Sequence, residues 1–304
     1  MKESKHNKER KKNIENKEAK QKTNKKKQLT ILYAILGVCI AGILTFGIWL
    51  AMELYLDWQS QNYYTQLANS IEMRPRPSPA RPEAQTSVAE EKPEKIEELW
   101  LPFVDFEELN KRFSGVKGWI SLEGTPLNYP IMQTDNNDYF LNHLPDGTRH
   151  RSGSIFLDYR NSPDFTDRNT IIYGHMSRTD DMFGVLRHFR EQAYFDANKI
   201  MYIHLPDRDY QLEIFTVYLV DSGVLAEIPV LEFRDDEHFM QNLNHIRSIS
   251  LVSSDLEVTA QDRIVTLATC VYDFVNARLV LVGKLVPFIE PVQKMQMDTT
   301  AQEG

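Results

Sequence analysis

The sequence predicts an all-β domain, a barrel or a sandwich, behind one membrane-crossing helix. Three observations predict it. Short apolar runs bounded by turn residues follow one another closely from about Gly118 to Val286, with few helical stretches between them. Leu29 to Met52, "LTILYAILGVCIAGILTFGIWLAM", carries no charge and is long enough to cross a hydrocarbon core of about 30 Å. Between the two lies a Pro- and Glu-rich segment with almost no large apolar residues. The 304 residues, 42% hydrophobic and 26% charged, suit one globular domain with appendages.

Residues 1–28 form a basic tail, and the net charge of -8 therefore understates how acidic the rest of the chain is. An acidic body argues against nucleic acid as a partner, because phosphate neutralisation needs a basic face. A cleaved signal peptide and a buried core helix both compete with the membrane span for residues 29–52. A signal peptide has a shorter apolar region ending in small residues, whereas this one runs on into "WLAMELYLDW". Length and basic flank argue against a core helix. Trp49, Tyr55 and Trp58 suit an interface, and the Lys-rich flank puts the N-terminus in the cytoplasm. Everything after about Tyr55 is then outside. Residues 53–99 read as a helix leaving the membrane, followed by an extended linker over Arg74 to Lys95 that cannot bury a core.

The globular domain spans residues 100–290, and 291–304 is a polar tail. "FVDFEELNKRFSG" has helical spacing of Phe106, Leu109 and Phe113 and stops at Gly115. "GWISLEG", "PLNYPIMQT" (interrupted by Pro130), "GSIFLDYR", "NTIIYGH", "KIMYIHL", "YQLEIFTVYLV", "RIVTLATC" and "ARLVLVGKLV" read as strands. "FGVLRHFREQAYFDAN" adds a helix or a turn of one, and "FRDDEHFMQNLNHIRSIS" is a helical insertion through Phe239, Leu243 and Ile246. Asp235, Asp236 and Glu237 could be a metal cluster, but they also form the negative first turn that a helix dipole favours, and no EF-hand spacing accompanies them. No phosphate-loop, dinucleotide, H-E-x-x-H or C-x-x-C pattern occurs.

The chain has two cysteines. Cys39 lies in the apolar run, so Cys270 stands alone in the domain without an intrachain disulfide partner. It is either a small buried hydrophobe or a reactive thiol. A thiol nucleophile needs a base or a cation to form its thiolate, and a donor to meet the oxyanion. Of eight histidines, His175 follows "NTIIYG" just past a strand end, where barrels display functional side chains; His143 is also open. Arg278 begins the strand after Cys270, where a hairpin-like connection returns it towards the cysteine. It is either an oxyanion donor or a strand-edge guard.

"TLATC", followed by the Arg of "NARLVLVGKLV", resembles the signature of the sortases, membrane-anchored cysteine transpeptidases of Gram-positive bacteria. "VKGWISLEGTPLNYPIMQTDNNDYFLNH", "GSIFLDYRN", "NTIIYGHM" and the helical insertion resemble the class B members, over about Phe103 to Pro287. The lack of a second, C-terminal membrane run also fits class B better than the pilus-building class C. The resemblance implies an eight-stranded β-barrel with an N-terminal helix and a helical insertion before the last strands. It implies Cys270 as nucleophile, His175 as general acid and base, and Arg278 as oxyanion and substrate holder. The N–H of Val271 would be the second oxyanion donor, and Tyr173 and Thr269 would line the site. Ala268 stands where Ser is frequent in class B. The groove is expected to involve the connection near residues 221–250.

The implied activity cleaves a C-terminal sorting signal of secreted proteins after Thr, through a thioester, and passes the protein to an amine of a cell-wall peptide or lipid-linked precursor. No cofactor or metal is required. A pilin-polymerising sortase, a plain thiol hydrolase and a non-catalytic membrane-tethered β binding domain are the alternatives.

Overall fold

The computed structural model describes residues 2–70, 104–221, 229–270 and 277–288. The expected linker, the expected polar tail and Val271 lie outside the described residues. The chain divides into two units, Met1–Gln59 and Ser60–Gly304. Helix α1 covers Lys2–Asn69. One segment, Asn24–Asn69, is long and apolar enough to cross a membrane, and the side chains of its most apolar stretch, such as Leu32, Ile43 and Trp49, are exposed.

In the second unit, eight strands close into a barrel: β1 (Val116–Ser121), β2 (Asn128–Met132), β3 (Ile155–Leu157), β4 (Asn169–Gly174), β5 (Ile200–His204), β6 (Asp209–Asp221), β7 (Ile264–Cys270) and β8 (Ala277–Pro287). Their order around it is β1-β2-β3-β4-β7-β8-β6-β5. Pairing is antiparallel except for β2–β3 and β4–β7, and closure leaves no open edge. The expected eight-stranded barrel is therefore the observed fold.

Alternation sorts the side chains of the last strands. Val265 and Leu267 of β7 and Leu279 and Leu281 of β8 join the main core. Their neighbours Ile264, Val280 and Val282 face the other way, into a second core under α4 (Asp236–Ser248), with Phe239, Leu243 and Ile246 of that helix. A bulge in β6 between Ile214 and Thr216 fits this second core: Phe215 joins it, and the Thr216 hydroxyl donates to the Ile246 carbonyl at 3.1 Å. The acidic turn starts α4 as expected. Asp235 caps it by accepting from the His238 N–H, and Asp236 pairs with Arg168 at 2.6 Å.

Helix α2 (Phe106–Arg112) is capped by Asp105, and α3 (Gln192–Asn198) follows a 3₁₀ segment at Gly184–Arg190. Pro130 does not break β2. It lies opposite Trp119 of β1, while β3 pairs only with Ile131 and Met132, so no second ladder needs the missing N–H. The last turns of α1 belong to the barrel unit. Tyr64 and Leu67 are buried in its main core, and the Tyr64 hydroxyl donates to the Gly153 carbonyl at 2.7 Å. The Tyr64 ring meets Tyr129 edge-on at 4.8 Å, and the Tyr129 hydroxyl accepts from the Met182 N–H at 3.0 Å.

Candidate active site

The parallel pairing of β4 with β7 decides where the site lies. Tyr173 pairs with Ala268 and Gly174 with Thr269, so His175, the next residue, comes off β4 level with Cys270. On the other flank of β7, Cys270 pairs directly with Arg278 in an antiparallel register. Directly opposed positions share one face of a ladder, with Cβ atoms about 5 Å apart. Three of the sequence-predicted residues thus converge at one end of three adjacent strands, although β4 and β7 are far apart in the chain.

His175 starts a tight loop. The Phe183 N–H donates to its carbonyl at 3.1 Å, and Met176 and Met182 form a bridge. The residue before it has to be small, because a Cβ on Gly174 would fall 2.5 Å from Cδ2 of the fully buried Phe183. Arg187 ties the loop down, donating to the Ser177 carbonyl at 3.0 Å and to Asp180 at 2.6 Å, with His188 also 2.9 Å from Asp180. The Arg187 hydrogen bond, against some desolvation, holds the Asp180 carboxyl below its ordinary range.

A cleft of about 100 Å³ opens here, lined by Phe140, Leu141, Ser152, Ser154, Phe156, Tyr173, Gly174, His175, Ala268, Thr269 and Arg278. It holds His175, Arg278, Tyr173 and Thr269 together, as expected. Beside the strands, its lining comes from the segment between β2 and β3; of the connection expected near residues 221–250, residues 222–228 lie outside the described residues and none of the others lines it. Thr269 is buried and pairs across the ladder with Leu279. Arg278 sits between Cys270 and Val220 in the sheet. His143, the other open histidine, stacks on Tyr139 at 4.1 Å, and its Nδ1 lies 2.7 Å from the Tyr139 carbonyl, so it has a local role. His204 is buried, 3.0 Å from Asp209.

Asp158 was not singled out in the sequence. It ends β3 with a fully buried side chain and accepts from the Tyr173 hydroxyl at 3.1 Å. Arg160 forks onto both of its oxygens at 2.8 Å. Burial pushes the Asp158 carboxyl up, but the Arg160 and Asn137 hydrogen bonds outweigh it, and the net displacement is down. Burial, then the Asp158 charge and hydrogen bond, push the Tyr173 phenol up to about 12, against the pull of Arg278 and Arg160. The sequence signal was the "DYR" that closes a strand, a charged pair directly after three apolar residues.

A family model for the sortase domain matches residues 120–286. Sortase B of Staphylococcus aureus is 36% identical over 186 residues, which cover 60% of this chain and 74% of that protein. Sortase B of Listeria monocytogenes is 36% identical over 187 residues, 60% of this chain and 73% of that protein. The solved structure of a Staphylococcus aureus sortase B–substrate complex matches with a TM-score of 0.57 and 35% identity, over 60% of this chain and 85% of that one.

Proposed function

The chain belongs to the sortase family, and we propose that it is a class B cysteine transpeptidase acting with Cys270 as nucleophile, His175 as general acid and base, and Arg278 as oxyanion donor. One observation carries the reading: Arg278 is the cross-strand partner of Cys270, while His175 leaves the strand on the opposite flank of β7 at the same level.

In the proposed reaction the Cys270 thiolate attacks the carbonyl of a Thr in the sorting signal of a secreted protein. The C–S bond forms as the carbonyl π electrons move to oxygen, and Arg278 with the Val271 N–H stabilises that oxyanion. Collapse expels the amine of the following residue, which takes a proton from His175. A thioester remains. An acceptor amine from a cell-wall peptide or its lipid-linked precursor loses its proton to His175 and attacks the thioester, restoring the thiolate. Water in place of the amine gives slow hydrolysis. Thr269 and Tyr173 line the path of the substrate, and no step calls for a cofactor. The N-terminal segment supports a place at the membrane: residues 29–52 would span it, residues 1–28 would be cytoplasmic, and the barrel would work outside.

The test uses the full chain in lipid nanodiscs, pooled Thr-containing peptides, and triglycine as amine, read by mass spectrometry. Wild type forms a Cys270 thioester and a triglycine-linked product. Cys270→Ala gives neither, His175→Ala loses about 10²–10⁴-fold, and Arg278→Ala about 10²–10³-fold. Product formation by Cys270→Ala at the wild-type rate would overturn the assignment.

A further inference from the structure

We propose that Asp158 is a positioning residue for the cleft, acting through Tyr173. By accepting the phenol's O–H it leaves Tyr173 only lone pairs to offer, so that the phenol oxygen receives hydrogen bonds from the Arg278 guanidinium or a substrate N–H and never donates into the cleft. This rests on reading the cleft as the catalytic site.

The Asp158 side chain is 0% exposed, and a buried carboxylate persists only when its lone pairs are met. Here they are. Oδ1 accepts from the backbone N–H and Nε of Arg160 at 3.0 and 2.8 Å. Oδ2 accepts from Arg160 Nη2 at 2.8 Å, Asn137 Nδ2 at 3.0 Å and the Tyr173 hydroxyl at 3.1 Å. The backbone is pinned as well: the Asp158 N–H donates to the Ile171 carbonyl at 2.9 Å, and the Asp158 carbonyl accepts from Gln133 at 3.0 Å. The acceptor is therefore rigid, and it is fully charged at neutral pH.

A phenol has a single proton to donate. Tyr173 gives it to Asp158, while its ring lies against Phe156 at 5.3 Å and forms part of the cleft wall beside Arg278. Arg278 has only donors to offer. A phenol confined to accepting complements it, and can hold the fork in one orientation. The raised phenol pKa keeps the proton in place through the working range.

The experiment has two arms, both on the full chain in nanodiscs. In the first, 3-fluorotyrosine replaces Tyr173 and its ionisation is followed by fluorine NMR. Asp158→Asn should lower that pKa by about one unit or more, since the carboxylate that opposes ionisation is gone; an unchanged pKa overturns the proposal. The second is a double-mutant cycle on turnover of the pooled Thr peptides with triglycine, at a temperature where every variant is folded. Tyr173→Phe and Asp158→Asn should each cost about 10-fold, and the double variant should be no worse than Tyr173→Phe alone. Additive losses, or an Asp158→Asn that lowers only the melting temperature, overturn it. Cys270→Ala separates the two failures. If it is as active as wild type, the transpeptidase reading is wrong; if it is inactive while the cycle is additive, only the positioning role is wrong.

Discussion

Adding one methyl group to Gly174 would place it 2.5 Å from the Phe183 ring, in a site with no room to yield on either side. Phe183 is fully buried, and its backbone N–H holds the His175 carbonyl. Gly174→Ala should therefore cost about 1–3 kcal/mol in chemical denaturation and reduce peptide turnover further, because relief moves the residue next to His175. Asp158 makes a second prediction at this scale. Its folded pKa lies below its ordinary value, so its contribution is complete above about pH 4 and is lost as pH falls through the folded value. Denaturation of wild type at pH 7, 4 and 3 should show that loss. Asp158→Asn should be less stable at pH 7 and show a flatter acid limb. Neither residue's role is legible in the sequence. Gly174 reads as an ordinary strand end, since only the fold brings Phe183 over it. Asp158 reads as the charged close of a strand, since only the fold brings it its partners Asn137 and Tyr173 from other elements.

At the scale of the element, the end of α1 behaves as part of the barrel. Ser60, Tyr64 and Leu67 form one buried helical stripe, and the Tyr64 hydroxyl reaches Gly153, between two serines of the cleft wall. Burying Tyr64 and Leu67 is worth roughly 3 kcal/mol. A chain beginning at residue 71 should thus melt about 5–10 °C below one beginning at residue 53, as differential scanning calorimetry would show. The helix itself was legible from its composition, and so was α4, whose Phe239, Leu243 and Ile246 all prove buried. What the last turns of α1 pack against was not, because a stripe of three residues does not name its partner. Pro130, which the sequence reads as an interruption within a strand, is accommodated because β3 pairs with β2 only beyond it, at Ile131 and Met132.

At the scale of the molecule, the runs of apolar residues foretold strands but left barrel and sandwich open. The parallel joining of β4 to β7, which closes the question, follows from no local pattern, since β5, β6 and α4 intervene in the chain. Cys270, His175 and Arg278 are named together by a family motif; their convergence is the product of two pairings, β4 with β7 for His175 and β7 with β8 for Arg278. Pairing so remote in sequence carries a large loop-closure cost and is expected late in folding. In refolding from denaturant, peptide turnover should return with the slowest phase seen by tryptophan fluorescence, never ahead of it.

The β4–β7 seam thereby acts as a clock as well as a joint. A chain still emerging, or one stalled with β7 undocked, has its thiol on one piece and its imidazole on another, and by the proposed mechanism turns over no peptide. Under the proposed chemistry, the first turnover a molecule performs certifies that its barrel has closed.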